Sequence, residues 1–168
     1  MKAIREELHY PGSPAVVFEV AFTGSFQLEL IAELGGLDPE VIEETATDNG
    51  GLRLVTAQRT HVELPLFVRR IMPADTTVTQ TYEWSPPAGD GSRTGTWSAE
   101  IKGAPIRLDG TTELRANDGG TTHVYLGGAK ASVPIVGGRL ESFAVQNLRQ
   151  DLTRGAKFIS DRLASQQS

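Results

Sequence analysis

The sequence predicts an α+β domain: a curved antiparallel sheet of about seven strands wrapped around a long C-terminal helix, with two short helices between strands 1 and 2. Three observations predict it. Over residues 137–163, GGRLESFAVQNLRQDLTRGAKFISDRL, the residues Leu140, Ala144, Leu148, Leu152, Gly155, Ile159 and Leu163 recur at three- and four-residue steps. That spacing is one apolar stripe on a helix about 40 Å long. Over residues 39–132 the apolar period drops to two, and the turn signals Asp48-Asn49-Gly50-Gly51 and Asn117-Asp118-Gly119-Gly120 interrupt it. The resulting order, β-αα-ββββββ-α, lacks the strand–helix alternation of a parallel α/β sheet. So long a stripe needs an equally long apolar surface, and only the strands can supply one.

The elements follow in order. Residues 3–10 form a first strand, with Ile4 and Leu8 among charges. Ser13 is placed as an N-cap and Pro14 at the first helical position. Val16, Val17, Val20 and Ala21 carry a helical stripe, Gly24-Ser25 breaks it, and residues 26–34 form a second helix that Gly35-Gly36 ends. Residues 41–47 and 52–63 pair across the first turn. Residues 64–71 are a connector whose Leu64, Leu66, Phe67 and Ile71 suit either a lid or a small satellite core. Residues 76–85, rich in Thr, Val, Tyr and Trp, and residues 93–102, 106–115 and 121–133 are the remaining strands. Residues 165–168 are expected to fray.

Composition bounds the function. The 168 residues suit one domain over residues 1–168, long enough to bury a sizeable core. Apolar residues make up 39% and charged residues 22%, which excludes wholesale disorder. A net charge of −5 lacks the basic face a nucleic acid requires. No apolar run reaches the length of a membrane span, and the charged N-terminus has no signal-peptide core, so the expected compartment is cytoplasmic. Without cysteine there is no disulfide, thiol nucleophile or Cys-ligated zinc. The three histidines show neither HxH nor HExxH spacing, and each is expected at the surface or a strand edge. No serine sits in GxSxG, and no glycine run matches GxGxxG or GxxxxGK[ST]. No metal, no cofactor and no catalytic residue is assigned.

The β-αα-ββββββ-α order resembles the helix-grip fold of the START/Bet v 1-like (SRPBCC) superfamily. Three segments narrow the resemblance: ELHYPGSPAVVF, TYEWSPPAGDGSRTGTWSAEIKGAPIRLDGTTEL and SVPIVGGRLESFAVQNLRQDLTRGAKFI. Together they resemble the DUF2505 family of mostly actinobacterial proteins over nearly the whole chain. The resemblance implies the fold and a superfamily habit of enclosing apolar ligands, and it carries over no catalytic residue.

A curved sheet and a helix across its mouth leave a gap wherever they fail to close, and such gaps are lined by apolar groups with a few polar ones. Alternation proposes the lining. Val78, Gln80 and Tyr82 share one face of their strand; Trp97, Ala99 and Ile101 share another; Leu108 follows. Tyr125, Ala129 and Ala131 face inward from the last strand, opposite Ala144 and Gly155 of the helix, whose apolar arc also offers Leu140 and Phe143. The small residues Gly127, Ala129, Ala131, Ala144 and Gly155 allow either close packing or open space. Gln80 is either a ligand contact or a hydrogen-bonded core amide. Asp151 falls on the apolar arc, as a polar anchor or as the partner of Arg59, Arg69 or Arg70 in a rim salt bridge. The function read from this is binding or carriage of an apolar small molecule, lipid-like or polyketide-like. The alternatives are a cyclase or dehydratase using Asp151, His61, His123 or Tyr125, and a co-chaperone-like interaction module.

Overall fold

The structure, a computed structural model, describes residues 1–166. The chain forms strand β1 (Lys2–Pro11), helices α1 (Pro14–Ala21) and α2 (Gly24–Glu33), strands β2 (Leu37–Ala46) and β3 (Leu52–His61), and the one-turn helix α3 (Leu66–Arg69). Strands β4 (Asp75–Trp84), β5 (Arg93–Ile101), β6 (Ile106–Asn117) and β7 (Gly120–Ala131) follow, and helix α4 (Gly137–Gln166) closes the order. Residues 165 and 166 thus continue the helix rather than fray; 167 and 168 lie outside the described residues.

The seven strands make one sheet in the order β1-β7-β6-β5-β4-β3-β2, antiparallel throughout. From β2 to β7 it is a simple meander. Only β1 is out of sequence, beside β7, so the chain leaves one edge and re-enters at the other. Six strand spacings of about 4.8 Å put that crossing near 29 Å. Helices α1 and α2, about 12 and 15 Å long, make it.

Local chemistry sets that crossing. Ser13 Oγ accepts the Val16 N–H at 3.4 Å and Pro14 opens α1, as expected. The break falls earlier than Gly24-Ser25, because Thr23 Oγ1 accepts the Phe26 N–H at 3.2 Å and makes Gly24 the first helical residue. The Gly24 N–H is taken by the Glu44 carboxylate at 2.7 Å, which ties α2 to β2. The two helices meet at a 73° bend. Strand β2 starts at Leu37, ahead of the expected residue 41, and slips register between Leu37 and Glu40 and between Val41 and Glu43. Pro39, the slips and the acidic side chains make this edge a poor template for another strand.

The core gathers Ile4, Leu8 and Tyr10 of β1, Val17, Ala21 and Phe22 from α1, Trp84 and Trp97 from the sheet, and Leu140, Val145, Ile159 and Leu163 of α4. The connector belongs to it: Leu64 and Val68 are buried, Phe67 and Ile71 pack against them, and only Leu66 points out, at 67% exposure. It is neither a lid nor a separate core.

The small residues resolve into both outcomes, one at each end of α4. At the N-terminal end the helix sits close on the sheet: a Cβ on Gly137 would lie 3.6 Å from Ala131 Cβ, and the Glu141 carboxylate accepts the Ala131 N–H at 2.9 Å. At the other end Gly155 faces Leu30 and Leu34 of α2, not the sheet. A Cβ there would meet the Leu30 and Leu34 methyls at 3.5 and 3.8 Å, ordinary contact distances. Gly155→Ala therefore gains helix propensity without a clash and is expected to stabilise the fold by about 1 kcal/mol, a rise of roughly 2–4 °C in Tm. Thermal denaturation checks it; a fall in Tm would mean that α2 cannot accept the methyl group.

Candidate functional site

Where α4 lifts away from the sheet, a cavity of about 400 Å³ remains. Its walls are the middle of the sheet, α2 and the second half of α4. Tyr10, Phe22, Tyr82, Trp97 and Tyr125 form an aromatic floor; Leu30, Leu34, Leu148, Leu152 and Ile159 close the helical side. This explains why Leu148 and Leu152 are only half-buried although they lie on the α4 stripe. Thr60, His61, Asn147, Gln150 and Asp151 add polar groups to the lining.

The floor is built by the sheet register. Gly110 lies opposite Gly127 on one side and Trp97 on the other. With no side chain at Gly110, the Trp97 indole covers the backbone, and its Nε1–H donates to the carbonyls of Thr111 at 3.1 Å and Leu126 at 3.2 Å. An aromatic ring over a strand glycine fixes register and fills the space that the glycine leaves. Beside it the Tyr82 and Tyr125 hydroxyls share a hydrogen bond at 2.8 Å. Burial raises the pKa of both, so the floor stays uncharged at physiological pH.

Behind the floor lies a group that the sequence reading placed at the surface. His123 is 1% exposed. Its Nδ1 bonds the Tyr10 hydroxyl at 3.0 Å and its Nε2 bonds Thr112 Oγ1 at 2.8 Å. Desolvation pushes its pKa down to about 3, so the ring is neutral, and both nitrogens are already engaged. His123 therefore ties β1, β6 and β7 together rather than offering a base to the cavity. The signal was present: His123 shares strand parity with inward-facing Tyr125. His61, by contrast, is exposed and pairs with Asp75 at 2.8 Å.

Of the side chains proposed from sequence, Gln80, Tyr82, Trp97, Ala99, Tyr125 and Asp151 line the cavity. Val78 and Ile101, paired across β4 and β5, lie outside the lining. So do Leu108, Ala129, Ala131, Leu140, Phe143 and Ala144, which pack into the core where α4 rests on the sheet. The reason is the tilt of the grip: one end is filled by small residues in contact, the other is held open by α2. The contributions of Gln27, Leu30 and Leu34 were missed because nothing local shows that α2 roofs the sheet.

Two polar expectations need correction. Gln80 has no hydrogen bond among the described residues, so it is not a satisfied core amide. Nor does Asp151 join a rim salt bridge: Arg59 pairs with Asp38 at 2.6 Å, and Arg69 donates to the Leu64 carbonyl at 3.1 Å. Asp151 is an exposed residue that contributes to the cavity lining. Partial desolvation raises its pKa, and Arg154 opposes the rise. Among the described residues no three His, Asp or Glu side chains gather as metal ligands.

Solved structures share this architecture. TTHA0849 from Thermus thermophilus superposes with a TM-score of 0.64 at 18% identity, over 99% of both chains. Human STARD10 gives 0.63 at 11% identity, over 98% of this chain and 66% of that one. A STAR-related lipid transfer protein fragment from Xanthomonas axonopodis gives 0.60 at 16% identity, over 94% and 85%. At these identities the likeness shows the fold, a START-like helix grip. No curated protein matches the chain in sequence. The family described as Protein of unknown function (DUF2505) matches residues 5–163, and with this sheet, this helix and this span the chain belongs to the DUF2505 family.

Proposed function

We propose that this protein binds or carries a small, mainly apolar molecule, lipid-like or polyketide-like, in the cavity between the sheet, α2 and α4. The observation that carries the proposal is the space of about 400 Å³ between sheet and helices, floored by aromatic rings. Its size lies within the roughly 300–1,000 Å³ of small-molecule sites. Leaving apolar surface uncovered costs stability, since it forfeits both burial and dispersion contacts. A fold that closes its other end tightly gains nothing structural from the gap. The STAR-related lipid transfer protein that shares the fold supports the same class of ligand.

Ala99 supplies the test. It is a small residue of the lining, where a ring would add bulk to the cavity wall. Native mass spectrometry of the purified protein is expected to show a bound molecule that is lost on denaturation. Ala99→Phe is expected to remove it while circular dichroism is retained. A protein that carries nothing and takes up none of a panel of fatty-chain and polycyclic probes overturns the proposal.

A further inference from the structure

Five carboxamides line the cavity: Gln27, Gln58, Gln80, Asn147 and Gln150. Gln58 and Gln80 lie on the same face of β3 and β4, one diagonal step apart, because Gln80 is paired with Thr56 and Gln58 with Val78. Gln27 joins the lining from α2. Their hydrogen bonding is incomplete. The Gln58 amide oxygen is buried with no partner. Gln27 is 5% exposed; its Nε2 donates to the Ala21 carbonyl at 2.5 Å, and among the described residues nothing donates to its oxygen. Gln80 makes no hydrogen bond at all among the described residues.

Buried polar groups in native proteins are normally paired, so the unpartnered Gln58 oxygen requires an account. Packing does not supply one. A Cβ on Gly36 would approach Gln58 Oε1 to 2.8 Å, so the absence of a side chain at that position leaves the Gln58 amide its place. The second feature is charge. Among the described residues no Lys or Arg lines the cavity, and its charged or chargeable groups besides the tyrosines are His61 and Asp151. A ligand carboxylate or phosphate would be desolvated here with no lysine or arginine to meet it.

We infer that the cavity selects an electrically neutral ligand bearing an amide, hydroxyl or carbonyl group, which Gln58, Gln80 and Gln27 bind, and that it rejects anionic ligands such as fatty carboxylates and phosphate esters. This rests on the cavity being a ligand site. A site whose hydrogen-bonding groups are otherwise unpaired discriminates strongly between ligands that do and do not satisfy them. A carboxamide both donates and accepts, so it serves a neutral polar group but cannot neutralise a charge.

The test uses three ten-carbon probes that differ only at the head: decanamide, 1-decanol and decanoate at pH 7.5, with naphthalene as a purely apolar control. Binding is read from the fluorescence of the two tryptophans, of which Trp97 lines the cavity, and by calorimetry. Decanamide and decanol are expected to bind at least tenfold more tightly than decanoate. In the Gln58→Met, Gln80→Met double variant, decanamide is expected to lose at least tenfold in affinity while naphthalene holds. Met keeps the side-chain length and removes amides that have no protein partner, so the variant is expected to fold. Equal or tighter binding of decanoate, or unchanged decanamide binding by the variant, overturns the inference and leaves the cavity a ligand site. Failure of every probe, naphthalene included, overturns the ligand site and the inference with it.

Discussion

A Gly110→Ala variant is expected to lose about 3–5 kcal/mol of stability, enough to leave the chain largely unfolded at 37 °C if its reserve is an ordinary one. A Cβ on Gly110 would stand 1.8 Å from the Leu126 carbonyl oxygen and 2.6 Å from Gly127 Cα. Both are backbone atoms of the paired strand, so no side-chain rotation relieves the contact; β6 and β7 would have to part. Gly127 is bound in the same way: its φ is +151°, and a Cβ would stand 2.1 Å from the Asp109 carbonyl oxygen. The parting would also take away the carbonyl acceptors of Trp97 and with them the cavity floor. Gly89→Ala and Gly138→Ala are the controls, since a Cβ at either position meets nothing within 4 Å. They are expected to change stability by less than about 1 kcal/mol. Urea unfolding of the three variants reads the difference; a Gly110→Ala protein as stable as its controls would show that the strands do not approach this closely.

Lowering the pH is expected to destabilise the protein through His123. Its pKa in the folded chain is about 3, against an ordinary value of 6.5. Because the folded value is depressed, the neutral ring contributes stability that is fully present above pH 6.5 and is lost as the pH falls from there towards 3. At about 1.36 kcal/mol per pH unit the whole window is worth on the order of 4–5 kcal/mol. Protonation would force a charge into the core, and both ring nitrogens would then have to donate to the Tyr10 and Thr112 hydroxyl oxygens. His123→Gln keeps a neutral hydrogen-bonding group and removes the titration. Between pH 6 and 4 the slope of unfolding free energy against pH is expected to be shallower in the variant by about one proton. Nitrogen chemical shifts of the imidazole test the premise directly: a ring that titrates near 6.5 in the folded protein would defeat it.

Much of the fold was legible before any coordinates. The stripe from Leu140 to Leu163 announced α4, the two-residue alternation announced the meander, and Ser13-Pro14 marked the start of α1 to the residue. These are local signals: each depends on a period or a cap that neighbouring residues write by themselves. Alternation also put Gln80, Tyr82, Trp97, Ala99 and Tyr125 on the face that turned out to line the cavity, because side-chain direction in a strand is fixed by parity alone.

Parity could not say where along that face the space would lie. Ala129 and Ala131 were as plausible as Ala99, yet α4 descends onto β7 at one end and rides on α2 at the other. The burial of His123, the roof supplied by Leu30 and Leu34, and the close passage of Gly110 by Gly127 share that character. Each is settled by segments far apart in sequence, such as the partners Tyr10 and His123. Period, caps and charge thus wrote the elements and their faces into the chain itself. Where those faces meet and where they stand apart was decided in three dimensions, since packing depends on the summed shapes of residues that no local pattern connects.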